Sequence, residues 1–228
     1  MVICTIGFIG KYAIFEIIYF LGLTVSLTIS AAEVASFIAN PSSFTGYSSG
    51  SHVIISGAIT HTQATALDAV SATYIQATVS ETTIANLSAI SASNTTRSSL
   101  NKFSFVVSDT SATAAELTAL QALTSVAVDA SNITSIESSS ASDITTLIAL
   151  TTAPTGISAD PVTVSDTTVS ATTLNTIDTF FSSTVTATAA TTITGPLADI
   201  ETAMSSGGIT DSASVAVTVT DSICNVNM

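Results

Sequence analysis

Three aspartates, Asp109, Asp166 and Asp221, close one recurring five-residue phrase. It reads Phe-Val-Val-Ser-Asp at 105–109, Val-Thr-Val-Ser-Asp at 162–166 and Val-Thr-Val-Thr-Asp at 217–221. Carboxylates at one position of a repeat converge into an acidic ladder when copies stack. With nearby Ser and Thr hydroxyls, such a ladder offers oxygen ligands to a divalent cation. Ca²⁺ takes about six to eight oxygens, so one Asp per copy is a thin supply. The Gly-Gly-x-Gly-x-Asp nonapeptide of the calcium β-roll is absent. Asp109, Asp166 and Asp221 therefore read first as turn or cap residues and only second as a cation ladder.

The two histidines are His52 and His61. A Ser-His-Asp triad needs a base and an orienting carboxylate converging on a nucleophile. Asp68 is available in sequence, but Ser is everywhere, so nothing selects a nucleophile. His61, in Thr60-His61-Thr62, reads as a solvated turn. The expectation is a non-enzyme with no catalytic residues, no cofactor and no tight metal site. Thr163, Thr184, Thr186, Thr188, Thr218 and Thr220 alternate with apolar residues. Outward Thr in a flat array could meet ice, glycan or a crystalline polysaccharide, although Thr also simply suits the solvent face of a strand. Asn86-Leu-Ser88, Asn94-Thr-Thr96 and Asn132-Ile-Thr134 match the glycosylation sequon, which Ser/Thr abundance produces by chance.

The elements that must position these residues follow from the spacing. The phrase recurs after 57 and then 55 residues. A shift of 57 also superimposes Leu117 on Leu174, Leu120 on Ile177, Val128 on Val185 and Ile136 on Ile193. A long period with a preserved apolar pattern marks a repeat architecture. Each copy reads as two β-turn-helix halves. Val162-Thr163-Val164 has the alternation of a strand, and Leu174 and Ile177 have the i, i+3 spacing of a short helix. Ser170, Thr113 and Ser30 are expected helix starts, and Thr113–Glu116 and Ser30–Glu33 have capping-box spacing. Asp143, Asp199 and Asn86 are read as further N-caps.

The fold class expected is α/β, a repeat solenoid of short parallel strands and short helices. An all-β solenoid is the alternative, and a β-sandwich array is third. The divisions are an apolar segment at 1–22, degenerate repeats over 23–104, repeats at 105–161 and 162–216, and the opening of a truncated repeat at 217–228.

Composition narrows the function classes. The formal net charge is −13, with Lys11, Arg97 and Lys102 the only cations. Nucleic-acid binding needs a basic footprint and is excluded as a partner class. Roughly a third of the residues are Ser or Thr, far above ordinary usage. A disordered stalk is disfavoured, because hydrophobic residues make up 46% of the chain, mean hydropathy is +0.63 and Val, Ile and Leu recur in register. Cys4 and Cys224 lie at opposite ends and define neither a metal spacing nor a disulfide framework. Residues 1–22 read as an export signal or anchor, hence a membrane association, as the apolar end of the solenoid, or as the product of a mis-called start codon. Lys11 and Glu16 interrupt any uniform apolar run.

Val162-Thr-Val-Ser-Asp-Thr-Thr-Val-Ser-Ala-Thr-Thr-Leu-Asn-Thr-Ile-Asp178, with Ala190-Thr-Thr-Ile-Thr-Gly195 and Ala198-Asp-Ile200, carries a resemblance. It resembles the Val/Thr/Ser/Asp-rich tandem repeats of very large bacterial surface or secreted proteins, notably cyanobacterial ones of the adhesin and calcium-binding-toxin type. The resemblance covers roughly residues 105–221. It implies an extracellular or cell-surface, non-catalytic spacer or adhesive array, with flanking repeats and surface or matrix polymers as partners. This chain is short for such a protein and stops at the opening of another copy.

Overall fold

Val162-Thr163-Val164 forms a strand with both valines fully buried and Thr163 turned outward. Val185-Thr186-Ala187 repeats the arrangement. The i, i+3 pairs Leu117/Leu120, Ile144/Leu147 and Leu174/Ile177 each lie on one helix, and all six side chains are fully buried. The period-2 and helical signals therefore select the elements the sequence predicts.

The structure is a computed structural model that describes residues 26–221 apart from 49, 72 and 92–99. The strands are β1 (Ser26–Ser30), β2 (His52–Ile59), β3 (Ile75–Val79), β4 (Lys102–Ser104), β5 (Ser111–Ala112), β6 (Ser135–Ser139), β7 (Val162–Val164), β8 (Thr168–Ser170), β9 (Val185–Ala187), β10 (Thr192–Gly195), β11 (Ile209–Asp211) and β12 (Ala216–Val219). The helices are α1 (Val34–Ala39), α2 (His61–Val70), α3 (Ile84–Leu87), α4 (Ala114–Gln121), α5 (Ala141–Ile148), α6 (Ala171–Phe180) and α7 (Leu197–Ser205). A 3-10 turn at Ala31–Glu33 leads into α1.

The fold is mixed α/β with three parallel sheets, ordered β1-β2-β3-β4, β5-β6-β7-β9-β11 and β8-β10-β12. Every ladder between these strands is parallel. From β7 onward the chain alternates between two sheets, so β7, β9 and β11 share one and β8, β10 and β12 the other. One apolar cluster runs from Ile29 to Ala203. At its N-terminal end the Phe37 ring meets Phe44 and Tyr47 edge to face, at 5.3 and 5.0 Å. Seven helices among the described residues and the parallel ladders overturn the all-β and β-sandwich alternatives. The Leu-x-x-Leu/Ile segments satisfy their backbone within helices, so they do not enter a sheet.

Several local expectations need correction. Val107 is buried but stands beside an isolated bridge, Val106 with Asp129, rather than within a strand. Thr113 caps α4 as expected, its Oγ1 accepting from the Glu116 N–H while the Glu116 carboxylate accepts from the Thr113 N–H. Such a cap is worth about 1 kcal/mol. Ser30 donates both its N–H and its hydroxyl to the Glu33 carboxylate, and these two bonds hold the Glu33 carboxyl below the usual range. Ser170 directly precedes α6, but its side chain makes no capping bond. Asp143, Asp199 and Asn86 are not caps. They are the third residues of α5, α7 and α3, whose N-cap positions are Ser140, Pro196 and Thr83. The acids there still complement the positive helix end.

The 1–22 segment, Lys11, Asn94, Arg97, Cys4 and Cys224 lie outside the described residues. Among the described residues no helix is long and apolar enough to cross a membrane.

Candidate functional site

The three phrase aspartates share one structural job. Asp109 Oδ2 accepts from the Ile84 N–H at 2.8 Å, Asp166 Oδ2 from the Ala141 N–H at 2.6 Å, and Asp221 Oδ2 from the Leu197 N–H at 2.6 Å. Each donor is the first residue of a helix, and each acceptor lies 24 or 25 residues further on. The first four N–H groups of a helix lack intrahelical partners, and a carboxylate there also meets the positive end of the dipole. The repeated Asp is thus a clasp between one strand-helix unit and the next, rather than a free member of a turn.

Two residues outside the phrase do the same. Glu81 Oε2 accepts from the His61 N–H, and Ser139 Oγ from the Ala114 N–H. Sequence reasoning missed both because their chemistry varies. For Ser139 the usable signal was its offset of 25 residues from the first helical residue, whereas Glu81, at 20, departs from that spacing. At the start of the 3-10 turn before α1, and at the start of α6, the corresponding residue is glycine. A Cβ on Gly57 would come within 3.2 Å of the Ala31 Cβ, and one on Gly195 within 3.4 Å of the Ala171 Cβ.

The abundant hydroxyls have a related use. Thr134 sends both its N–H and its Oγ1 to the Thr110 carbonyl, Ser182 sends both to Ser158, and Thr191 sends both to Thr167. Ser125 does so to Asn101 and Thr155 to Val128. Each pair spans 24 to 27 residues, so these clips again link successive units. On the helices, Thr145, Thr176, Thr179, Thr202 and Ser205 bond to the carbonyl four residues back. Much of the Ser/Thr excess therefore serves the backbone.

The candidate triad is not assembled. His61 opens α2, and its Nδ1 lies 3.1 Å from the Glu81 carboxylate, so it is paired rather than a solvated turn. Burial raises the Glu81 carboxyl, but its own N–H and both His61 groups outweigh this and hold it below the usual range. Asp68 is buried and accepts from Asn101 Nδ2 at 2.6 Å. His52 stacks on Tyr74 at 3.8 Å, and the Lys102 ammonium lies 4.4 Å from the same ring. His52 and Lys102 come from β2 and β4, the strands that flank β3, which Tyr74 directly precedes. Burial, then Lys102, lowers the His52 pKa. Beside Lys102 a shallow cleft of about 290 Å³ is lined by Gln76, Thr78, Ser104 and Val126. Among the described residues no three His, Cys, Asp or Glu side chains gather.

The outward threonines form short rows. Thr163, Thr186 and Thr210 are in register across one sheet, and Ser170, Thr194 and Thr218 across another. In the first sheet the corresponding row is Thr28, Ile54, Gln76 and Lys102, which is chemically mixed. Thr184 and Thr188 flank β9, and Thr220 follows β12, all exposed.

Asp160 stands apart. It is 9% exposed, and its Oδ2 has no hydrogen-bond partner among the described residues. Burial pushes its carboxyl above the usual range. A raised folded-state pKa makes the contribution of this group most favourable below the unfolded carboxylate pKa, and that contribution is lost as pH rises through the folded value. Asp160→Asn should therefore unfold at higher urea than wild type at pH 7 and at the same urea near about pH 3. Equal midpoints at both pH values would show that this carboxyl is solvated.

Comparison with protein-family models, with curated proteins and with solved structures finds no match to this chain.

Proposed function

We propose that the chain is a non-catalytic repeat module of an extracellular or cell-surface protein, acting as a structural spacer or adhesive array. Its finer architecture is an α/β solenoid, in which each coil contributes strand and helix and two coils make one sequence repeat. The observation that supports this reading is where the polar side chains go. Clasps at helix starts and hydroxyl clips join each unit to the next, so the polar inventory is spent along the chain axis rather than converging on a ligand. The helix starts agree with a two-coil period: Ala114 and Ala171 lie 57 residues apart, and Ala141 and Leu197 lie 56 apart. A quasi-one-dimensional stack of this kind gains and loses whole repeats without loss of fold.

Deleting 114–170 joins Thr113 to Ala171, a cap residue to a first helical residue, and removes 57 residues. The variant should unfold cooperatively. Small-angle scattering should show it shorter by two strand spacings, about 10 Å. A variant that is unfolded, or no shorter, would overturn the stacked reading.

A ligand-binding solenoid is the second reading, favoured by the in-register Thr163/Thr186/Thr210 row. Retention on an insoluble polysaccharide, lost on Thr186→Lys, would promote it over the spacer.

A further inference from the structure

Seven large apolar side chains are well exposed among the described residues, and four of them, Leu197, Met204, Val217 and Val219, cluster at the C-terminal end. Val217 is 46% exposed, whereas its register partner Ile193 is 1% exposed and Val169, next along the same sheet, is 3% exposed. Thus β12 has the sequence of an inner strand but stands at the outer edge of its sheet among the described residues. Edge strands are usually blunted by charge, proline or a bulge. From Ser212 to Thr220 there is neither charge nor proline. At the opposite end β1, Ser26-Leu-Thr-Ile-Ser30, is also an edge strand among the described residues, without charge or proline.

The two edges are complementary in position. Ser30 stands immediately before a helical turn, as Ser170 stands before α6. Ser170, Thr194 and Thr218 share one row, so Ser30 is the counterpart of Thr218 and Ile29 that of Val217. We propose that β12 of one copy pairs in parallel with β1 of a second copy, head to tail. Ile29 would lie beside Val217, and α1 beside the exposed Leu197 and Met204 of α7. The pairing continues the ladder β8-β10-β12 by one more strand of the same polarity. Because the two ends are different surfaces, the association is heterologous and grows as an open chain rather than closing as a dimer. It rests on the stacked reading above. A folded deletion variant that does not self-associate would overturn this inference while leaving that reading in place.

The test uses the full chain. Sedimentation velocity over about 1–100 µM, where a weak interface becomes visible, should show wild-type mass rising past the dimer. Val217→Lys blocks the C-terminal end and Leu27→Lys the N-terminal end, so each alone should remain a monomer with wild-type circular dichroism. Mixed in equal amounts, they should form a heterodimer through the two unblocked ends. A wild-type monomer throughout, a closed dimer that grows no further, or a mixture that stays monomeric would each overturn the proposal. If Leu27→Lys unfolds, Thr28→Lys, on the exposed face of the same edge strand, takes its place in the mixing experiment.

Discussion

Val164→Asp should abolish cooperative unfolding, whereas Thr163→Asp, one residue away, should leave it in place. Val164 is fully buried in β7, the central strand of the five-stranded sheet. An ionised carboxylate there has no partner, and burying one costs far more than a neutral polar group. The loss of a buried partner or creation of an unpaired buried charge typically removes about 3–5 kcal/mol. That is a large part of the roughly 5–15 kcal/mol by which domains are stable. The backbone of Thr163 pairs in the same sheet, but its side chain faces outward. Surface substitutions usually stay within about 0.5 kcal/mol, with a little more for an Asp in a strand. Far-UV circular dichroism against urea distinguishes the two. A Val164→Asp protein with a wild-type midpoint would place this residue outside the core.

That contrast shows what the sequence made legible. Parity along Val162-Thr163-Val164 and the i, i+3 pairs carry tertiary information in local spacing, because burial selects one face of each element. The parallel strands and the capping box at Thr113–Glu116 followed from the same local rules. The clasp did not. Asp166 and Ala141 are 25 residues apart, and nothing in either segment names the other. A composition-based reading sees a polar residue after a strand and assigns it to its own turn. Glu81 and Ser139 were invisible for a further reason: an orphan N–H accepts any suitable oxygen, so the position tolerates Asp, Glu or Ser. His61 reads as a solvated turn in the sequence because its partner is 20 residues downstream. Asp143 and Asp199 read as caps because N-cap and third-position acids both sit near the start of a helix, and composition alone does not separate them.

Asp166→Ala should destabilise the chain by about 1–3 kcal/mol, the cost of leaving a buried backbone donor without its acceptor. Ala141 is 7% exposed, so its N–H has little access to solvent once the carboxylate is gone. Asp166→Asn keeps an oxygen at the same reach and loses only the charge, worth about 0.3–1 kcal/mol at a helix N-terminus. The order of urea midpoints should therefore be wild type, Asp166→Asn, Asp166→Ala, and Asp109→Ala should behave like Asp166→Ala, because Asp109 makes the same bond to Ile84. A cation ladder makes different predictions. It requires Ca²⁺ to stabilise wild type far more than Mg²⁺, with Asp166→Asn abolishing the difference. A clasp already committed to an N–H expects both ions to act alike, through screening of a chain with net charge −13. Calorimetric titration at physiological salt should then show no Ca²⁺ site tighter than the millimolar range of weak extracellular modules. A stoichiometric micromolar site lost in Asp166→Asn would transfer these three aspartates from structure to ligand binding.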